Sequence, residues 1–275
     1  MTVHGRRARR AAPFLGALVL VTVLGCAALV RGPSNGSAPE TRATVAAEPP
    51  QTEPAPEPTL DAPQVSGERI SPTPRAPQEG SVDDPASLFV VVNKQRPLRP
   101  ADVVPDDLVI AGVASANAPV LRAQAARALE EMFAVARTEG GGSMLVQSAY
   151  RSYTTQVSVY DGWVSRLGAE RADLQSARPG HSEHQTGLAV DISPSPTTCV
   201  LQACFGTTAQ GRWLAANAWR FGFVLRYPET ETAVTGYTYE PWHFRFVGPE
   251  AARRYHDAGA TTLESFFGLP AAPTY

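Results

Sequence analysis

The chain has 275 residues, 24 Lys and Arg against 26 Asp and Glu, a formal net charge of -2, and 43% hydrophobic residues. That balance excludes nucleic acid as a charge-driven partner, because such binding needs a basic face. Four Trp, eight Tyr and ten Phe supply enough apolar bulk for one globular core once a long Pro-rich stretch is set aside.

Arg6, Arg7, Arg9 and Arg10 precede a run from Ala11 to Val30 that carries no charge before Arg31. A helix of that length rises roughly 30 Å, the thickness of a bilayer core, and the basic flank is retained on the cytoplasmic side. Residues 1–30 are therefore expected to deliver the rest of the chain outside the cytoplasmic membrane. Val23-Leu24-Gly25-Cys26 resembles the lipobox of bacterial lipoproteins, whereas Ala27 to Val30 continue the run as an uncleaved signal anchor does. An anchor, a lipoprotein acylated on Cys26 and simple secretion all give one compartment.

Residues 31–86 are dominated by Pro, Ala, Glu, Ser and Thr, and hold close to half of the 25 prolines. Such a segment buries too little apolar area to offset its ordering entropy, so a disordered linker is predicted. Its reach is about 45 Å as a coil and up to about 170 Å when fully extended.

A single domain is expected over residues 87–275. Leu88 to Val92 reads as a strand closed by a turn at Asn93 to Pro97. Leu121, Ala125, Leu129, Met132, Phe133 and Ala136 recur at helical spacing within 120–138, and Gly140 to Gly142 stop that helix. Met144 to Gln147 fits a buried strand, and Thr154 to Leu167 a helix with Val159, Tyr160, Trp163 and Leu167 on one face. Strands follow at Leu188–Ile192, Phe223–Tyr227 and Phe244–Val247, with helices around Gly211–Arg220 and from Pro249 and Thr261. Short strands separated by helices, without regular βαβ alternation or a Gly-rich phosphate loop, predict an α+β domain with a small sheet flanked by helices.

Two motifs carry chemistry. In Ser182-Glu183-His184-Gln185-Thr186-Gly187-Leu188-Ala189-Val190-Asp191, strand alternation buries Leu188, Val190 and Ile192 and turns Asp191 to the opposite face. Gly187 lets the backbone bend so that His184 approaches the same point. Alone, such a pair is more often a structural hydrogen bond than a metal site. Glu240-Pro241-Trp242-His243-Phe244-Arg245 supplies a second imidazole. His184, Asp191 and His243 then make a zinc donor set with a fourth position free for water, and Glu240 is placed as general base. The plain alternative for Glu240 is a salt bridge to Arg245 or Arg226. In an exported, oxidising setting Cys199 and Cys204 predict a short-loop disulfide, since no second pair completes a structural zinc site.

Ser-x-His-x-x-Gly-x-Ala-x-Asp and Glu-x-Trp-His, joined with Ser148-Ala149-Tyr150-Arg151-Ser152-Tyr153 and Phe221 to Pro228, resemble the VanY-type zinc D-alanyl-D-alanine carboxypeptidases. The resemblance runs from about Leu88 to the end and includes Cys199 to Cys204. It implies an α+β fold shared with other zinc peptidases and the hedgehog signalling domain. It also implies zinc held by His184, Asp191 and His243, with Glu240 as base. Arg151 is then the partner of the tetrahedral oxyanion, a role suited to a fixed guanidinium. Gln156 and Ser182 match positions that hold the substrate's terminal carboxylate and backbone. The expected substrates are peptidoglycan stem peptides, cut by D,D-carboxypeptidase action; L,D-carboxypeptidase action on tetrapeptides and a noncatalytic zinc-containing wall-binding module are the alternatives. His181 and His256 stay outside the expected site.

Overall fold

The computed structural model of the chain describes residues 81–275. The predicted membrane segment, with Cys26, and nearly all of the predicted linker lie outside the described residues. Among the described residues, no helix is long and apolar enough to cross a membrane.

The architecture is mixed helix and antiparallel sheet. A two-stranded sheet pairs β1 (Leu108–Ile110) with β2 (Val120–Arg122). Helix α1 (Ala123–Thr138) follows directly, then strand β3 (Met144–Ser148), helix α2 (Tyr153–Leu167) and the short α3 (Ala169–Ala172). Next come β4 (Ala189–Pro194), α4 (Ala209–Asn217), β5 (Phe223–Leu225) and the one-turn α5 (Thr232–Thr235). Strand β6 (His243–Phe246), α6 (Pro249–Asp257) and α7 (Leu263–Phe267) complete the chain. The four-stranded sheet has the order β3-β4-β6-β5, antiparallel throughout.

Helix α1 buries Ala125, Leu129, Met132, Phe133 and Ala136, the stripe its spacing predicts except for Leu121, which lies in β2, against a core that includes Val146, Val190, Ile192 and Phe244. A second cluster, with Val91, Val224, Ala252, Tyr255 and Phe266, seats α6 and α7 on the other side of β5.

The structure corrects three expectations. Leu88 to Val92 is no strand: its core side chains Val90, Val91 and Val92 are buried, but its carbonyls face other partners than a neighbouring strand. The predicted turn does form, as Asn93 and Arg96 bridge each other. Residues placed in the linker by composition already pack, because Val91 N–H donates to the Val82 carbonyl at 2.9 Å. The apolar face of α2 is not a core face; its one buried residue is Gln156, while Val159 and Trp163 line a cleft. Strand β1, the hairpin-like sheet it forms and the helices α3 and α5 carry too few residues to impose a period on the sequence.

Candidate active site and metal centre

The site is built on strand register. Asp191 on β4 and His243 on β6 are Cα partners in adjacent antiparallel strands, and Asp191 is also paired with Ser148 at the end of β3 after a register shift. Directly opposed residues project to the same face with neighbouring Cβ atoms, so pairing these strands brings the carboxylate to the imidazole. His243 Nδ1 stands 3.2 Å from Asp191 Oδ1.

His184 arrives from a different element. Residues Glu183–Thr186 form one turn of 3₁₀ helix that ends on Gly187, in the left-handed region at φ 66°. A Cβ there would lie 2.7 Å from Leu108 Cδ2 and 3.0 Å from Arg122 Cγ, so glycine serves both the turn and the close approach of β1 and β2. The turn sets His184 Nε2 3.2 Å from Asp191 Oδ2, while His184 Nδ1 meets the Ala149 carbonyl at 2.7 Å. With Nδ1–H donated to that carbonyl, the Nε2 lone pair faces the cluster.

One donor atom from each of His184, Asp191 and His243 lies within 4.8 Å of the others, and all three residues are buried. Asp191 Oδ1 has no hydrogen-bond partner although it is buried. An uncompensated carboxylate oxygen beside the His243 ring, on a carboxylate whose other oxygen faces His184, is costly unless a cation takes it up, and two N donors with one O donor suit zinc. The residues present fit that ion.

Electrostatics around the cluster separate the groups. Burial lowers the His184 imidazole from its ordinary value. Burial also works against the His243 cation, but the Asp191 and Glu183 carboxylates beside the ring, at 3.2 and 3.5 Å, outweigh it and raise the group to about 9. Asp191 is held well below the usual carboxylate range: burial opposes its charge, and His184 and His243 overcome that penalty. Glu240, with Oε2 3.7 Å from His243 Nδ1, is pushed up to about 8, chiefly by burial and then by the nearby Asp191, against the pull of His243. A carboxyl tuned to near neutrality beside a metal donor set is the profile of a proton-transfer group. Neither Arg245 nor Arg226 pairs with Glu240; both bind Glu183 instead.

The cluster floors a cleft of about 250 Å³ whose walls include Arg151, Gln156, Val159, Trp163, Ser182 and Trp242. Arg151 donates from Nη1 to Gln156 Oε1 at 3.0 Å, and its Nη2 lies 3.4 Å from Ser148 Oγ. Gln156, fully buried, spends both amide protons on Ser176 Oγ at 3.2 Å and the Ala177 carbonyl at 2.6 Å. Its side chain therefore grips Arg151 and the 176–177 loop while it lines the cleft. Ser182 is buried at the cleft wall. Cys199 and Cys204 are bonded to each other, and the loop they close places Leu201 on the cleft.

His181 and His256 sit elsewhere: His181 Nδ1 meets the Asn93 carbonyl, and His256 stacks on Trp219. Sequence reasoning missed Glu183, Tyr227 and Tyr237. Tyr227 packs on the His243 ring with centroids 4.9 Å apart, and on Tyr237 at 4.7 Å. Position next to His184 was the only signal for Glu183; the tyrosines lie in loops whose folding no period announces.

Two imidazoles and a carboxylate around one point, with a neutral-range glutamate and a held guanidinium, form the constellation of a metal-dependent hydrolase. The chain belongs to the VanY family of D-alanyl-D-alanine carboxypeptidases, whose model matches residues 118–249, a stretch that contains every site residue named from the motifs. The putative carboxypeptidase YodJ of Bacillus subtilis is 41% identical over 192 residues, covering 68% of this chain and 69% of that protein. A D-alanyl-D-alanine carboxypeptidase of Enterococcus faecalis is 34% identical over 188 residues, 64% of this chain and 65% of its own. Among solved structures, the LdcB LD-carboxypeptidase superposes with a TM-score of 0.62 at 41% identity, covering 67% of this chain and 87% of that one. The VanY D,D-pentapeptidase of a VanB-type cassette, solved in complex with Zn(II), gives 0.54 at 33% identity, with 66% and 98% covered.

Proposed function

We propose that this chain is a zinc-dependent carboxypeptidase that removes the terminal D-alanine of peptidoglycan stem peptides outside the cytoplasmic membrane. The observation that carries the reading is the convergence of His184, Asp191 and His243 within 4.8 Å on the floor of a cleft that also presents Glu240 and Arg151. Bound there, zinc would supply a Lewis acid for the scissile carbonyl and acidify water. Glu240 accepts the proton of the attacking water and passes it to the amine that leaves as the C–N bond breaks. Arg151, kept in place by Gln156, offers N–H donors to the negative charge that develops on the carbonyl oxygen. Ser182 and Trp242 form the wall along which the peptide end lies. The basic flank at Arg6 to Arg10 and the uncharged run to Val30 support an envelope location, tethered to the membrane through residues 1–30.

D,D-carboxypeptidase action on pentapeptides is the first reading, supported by the family description. A second reading, L,D-carboxypeptidase action on tetrapeptides, is favoured by the 41% identity to LdcB. Purified protein loaded with zinc and given penta- and tetrapeptide stems should release D-alanine from one of them, as read by mass spectrometry. Glu240→Gln is expected to reduce release by about 10²- to 10⁴-fold while zinc content stays unchanged. Undiminished release by that variant would remove Glu240 as the base, and no release from either stem by the zinc-loaded wild type would defeat the reading as a whole.

A further inference from the structure

The His243 ring has two nitrogens, and only one faces the metal donors. Nδ1 points to Asp191 and Glu240, whereas Nε2 is buried and lacks a hydrogen-bond partner within ordinary geometry. The atom nearest to answering it is Glu183 Oε2, 3.5 Å away, itself buried and equally without a partner. Two orphaned buried polar atoms facing each other, one a ring nitrogen and the other a carboxylate oxygen, are each other's complement.

Glu183 is not free to turn aside. Its other oxygen, Oε1, accepts from Arg226 Nε and Arg245 Nη1, both at 2.9 Å. Arg226 is gripped in turn by Glu264 through bonds of 2.9 and 2.7 Å, and Glu264 takes Asn93 Nδ2 at 2.9 Å. Arg245 Nη2 donates to the carbonyls of Leu88 and Val90, at 3.1 and 2.6 Å. The side chains of Glu183, Arg226 and Arg245 are wholly shielded from solvent. Three of these anchors, Glu264 and the carbonyls of Leu88 and Val90, lie outside the stretch matched by the family model.

We infer that Glu183 is a positioning residue for the metal centre: Oε2 accepts Nε2–H of His243, which fixes the tautomer and rotation that turn the Nδ1 lone pair to the ion. The inference rests on His243 being a metal ligand, as proposed above. It assigns a purpose to the buried ladder and to the extended run Leu88 to Val92, whose carbonyls hold one of the arginines. It also makes the two histidines alike in plan, since His184 uses the Ala149 carbonyl for its rear nitrogen where His243 uses a carboxylate.

Glu183→Gln separates this role from packing, because it keeps the shape and removes one acceptor. An amide that keeps its oxygen on the two arginines turns its NH2 toward Nε2–H of His243, donor against donor. The ring then loses its Nε2–H orientation or takes the other tautomer, whose Nδ1–H blocks the ion. Zinc affinity measured by chelator competition is expected to fall about 10- to 100-fold. In ¹⁵N-histidine NMR of the zinc-loaded wild type, the His243 Nε2–H proton should appear at low field and exchange slowly, and in Glu183→Gln it should move upfield or vanish. Unchanged zinc affinity together with an unchanged His243 signal in the folded variant would overturn the inference. If the variant does not fold, the wild-type spectrum decides: a fast-exchanging Nε2–H overturns the inference, and a protected one at low field supports it. A wild type that binds no zinc would overturn the metal-centre reading first and this inference with it, whereas zinc bound equally by both proteins with the His243 signal unchanged would sink this inference alone.

Discussion

Replacing Arg226 by Met should cost this domain several times more stability than removing an arginine that makes as many ion-pair contacts on the surface. Arg226 donates to Glu183 Oε1 at 2.9 Å, Glu264 Oε2 at 2.9 Å and Glu264 Oε1 at 2.7 Å. Met fills much of the same volume but leaves Glu183 with Arg245 alone and Glu264 with Asn93 alone, both in a dry interior. Removing one member of a buried ion pair costs about 3–5 kcal/mol, because the partner's desolvation is no longer offset. For a domain of this size each kcal/mol lowers the melting temperature by about 2–4 °C, so a fall of roughly 6–20 °C is expected. Arg253 is the internal control. It pairs with Glu250 and Asp257 at 2.9 and 3.1 Å, yet its side chain is half exposed and water screens the pairs, so Arg253→Ala should leave the melting temperature close to that of the wild type. Thermal and urea unfolding of the zinc-free proteins measures both. The pH dependence adds a check on sign. Glu183 and Glu264 are held below their ordinary range, with burial opposing the charge and arginine contacts overcoming it. Their contribution is therefore complete above the unfolded value of about 4.3 and disappears as pH falls through the folded values. The gap between wild type and Arg226→Met should narrow only below about pH 4. Equal losses for the two arginine variants at neutral pH would refute the buried-ladder argument.

Two further outcomes test the site from other directions. In the metal-free protein His243 is raised to about 9 and Glu240 to about 8, so both carry protons at pH 7 and a cation must compete with them. Zinc uptake at pH 7 is therefore expected to release between about one and two protons, with affinity rising between pH 6 and 8. Titration calorimetry in buffers of different ionisation enthalpy reads this directly, and heats independent of the buffer would contradict it. Gly187→Ala forces a Cβ into the left-handed region at φ 66° and against Leu108 and Arg122, for a loss of about 2 kcal/mol in urea unfolding. Its zinc affinity should fall as well, since the strained turn carries His184; a variant as stable as wild type would show that the turn tolerates a side chain.

How much of this was readable in the sequence depends on the range of the interaction involved. The α1 stripe and the burial of Val190 and Ile192 follow from periods of 3.6 and 2, which are local, and the structure places them as spaced. His184, Asp191 and His243 were legible because each lies in a short motif, although their meeting depends on the pairing of β4 with β6 across some fifty residues. Glu183 was read as no more than a neighbour of His184, because its partners Arg226, Arg245 and Glu264 are scattered along the chain and no spacing rule connects them. Leu88 to Val92 was misread as a strand for a related reason. Its β-branched residues fit a sheet edge, but the acceptor side of its backbone is claimed by a side chain, Arg245, from β6. Gln156 was named through the family resemblance as a substrate-holding position, and only the fold of the 176–177 loop over it makes it the sole buried residue of α2.

The floor and the walls of the cleft are held by different means, and the difference bears on specificity. Asp191 and His243 are fixed by sheet register and backed by buried charges, so a shift in either disturbs several strong interactions at once. The walls come from α2, the loop that carries Ser176 and Ser182, the Cys199–Cys204 loop with the half-exposed Leu201, and the segment from Tyr227 to Tyr237. Those segments depend on a few hydrogen bonds and aromatic contacts each, and can change with little effect on the sheet. A floor that carries the proposed metal ligands and base can therefore keep its residues while the walls change. On that footing, similarity of this chain to both a D,D-pentapeptidase at 33% identity and an LD-carboxypeptidase at 41% identity is compatible with the proposed function, and exchange of the wall loops, not of the proposed zinc donors, is the expected route to a change of stem-peptide preference.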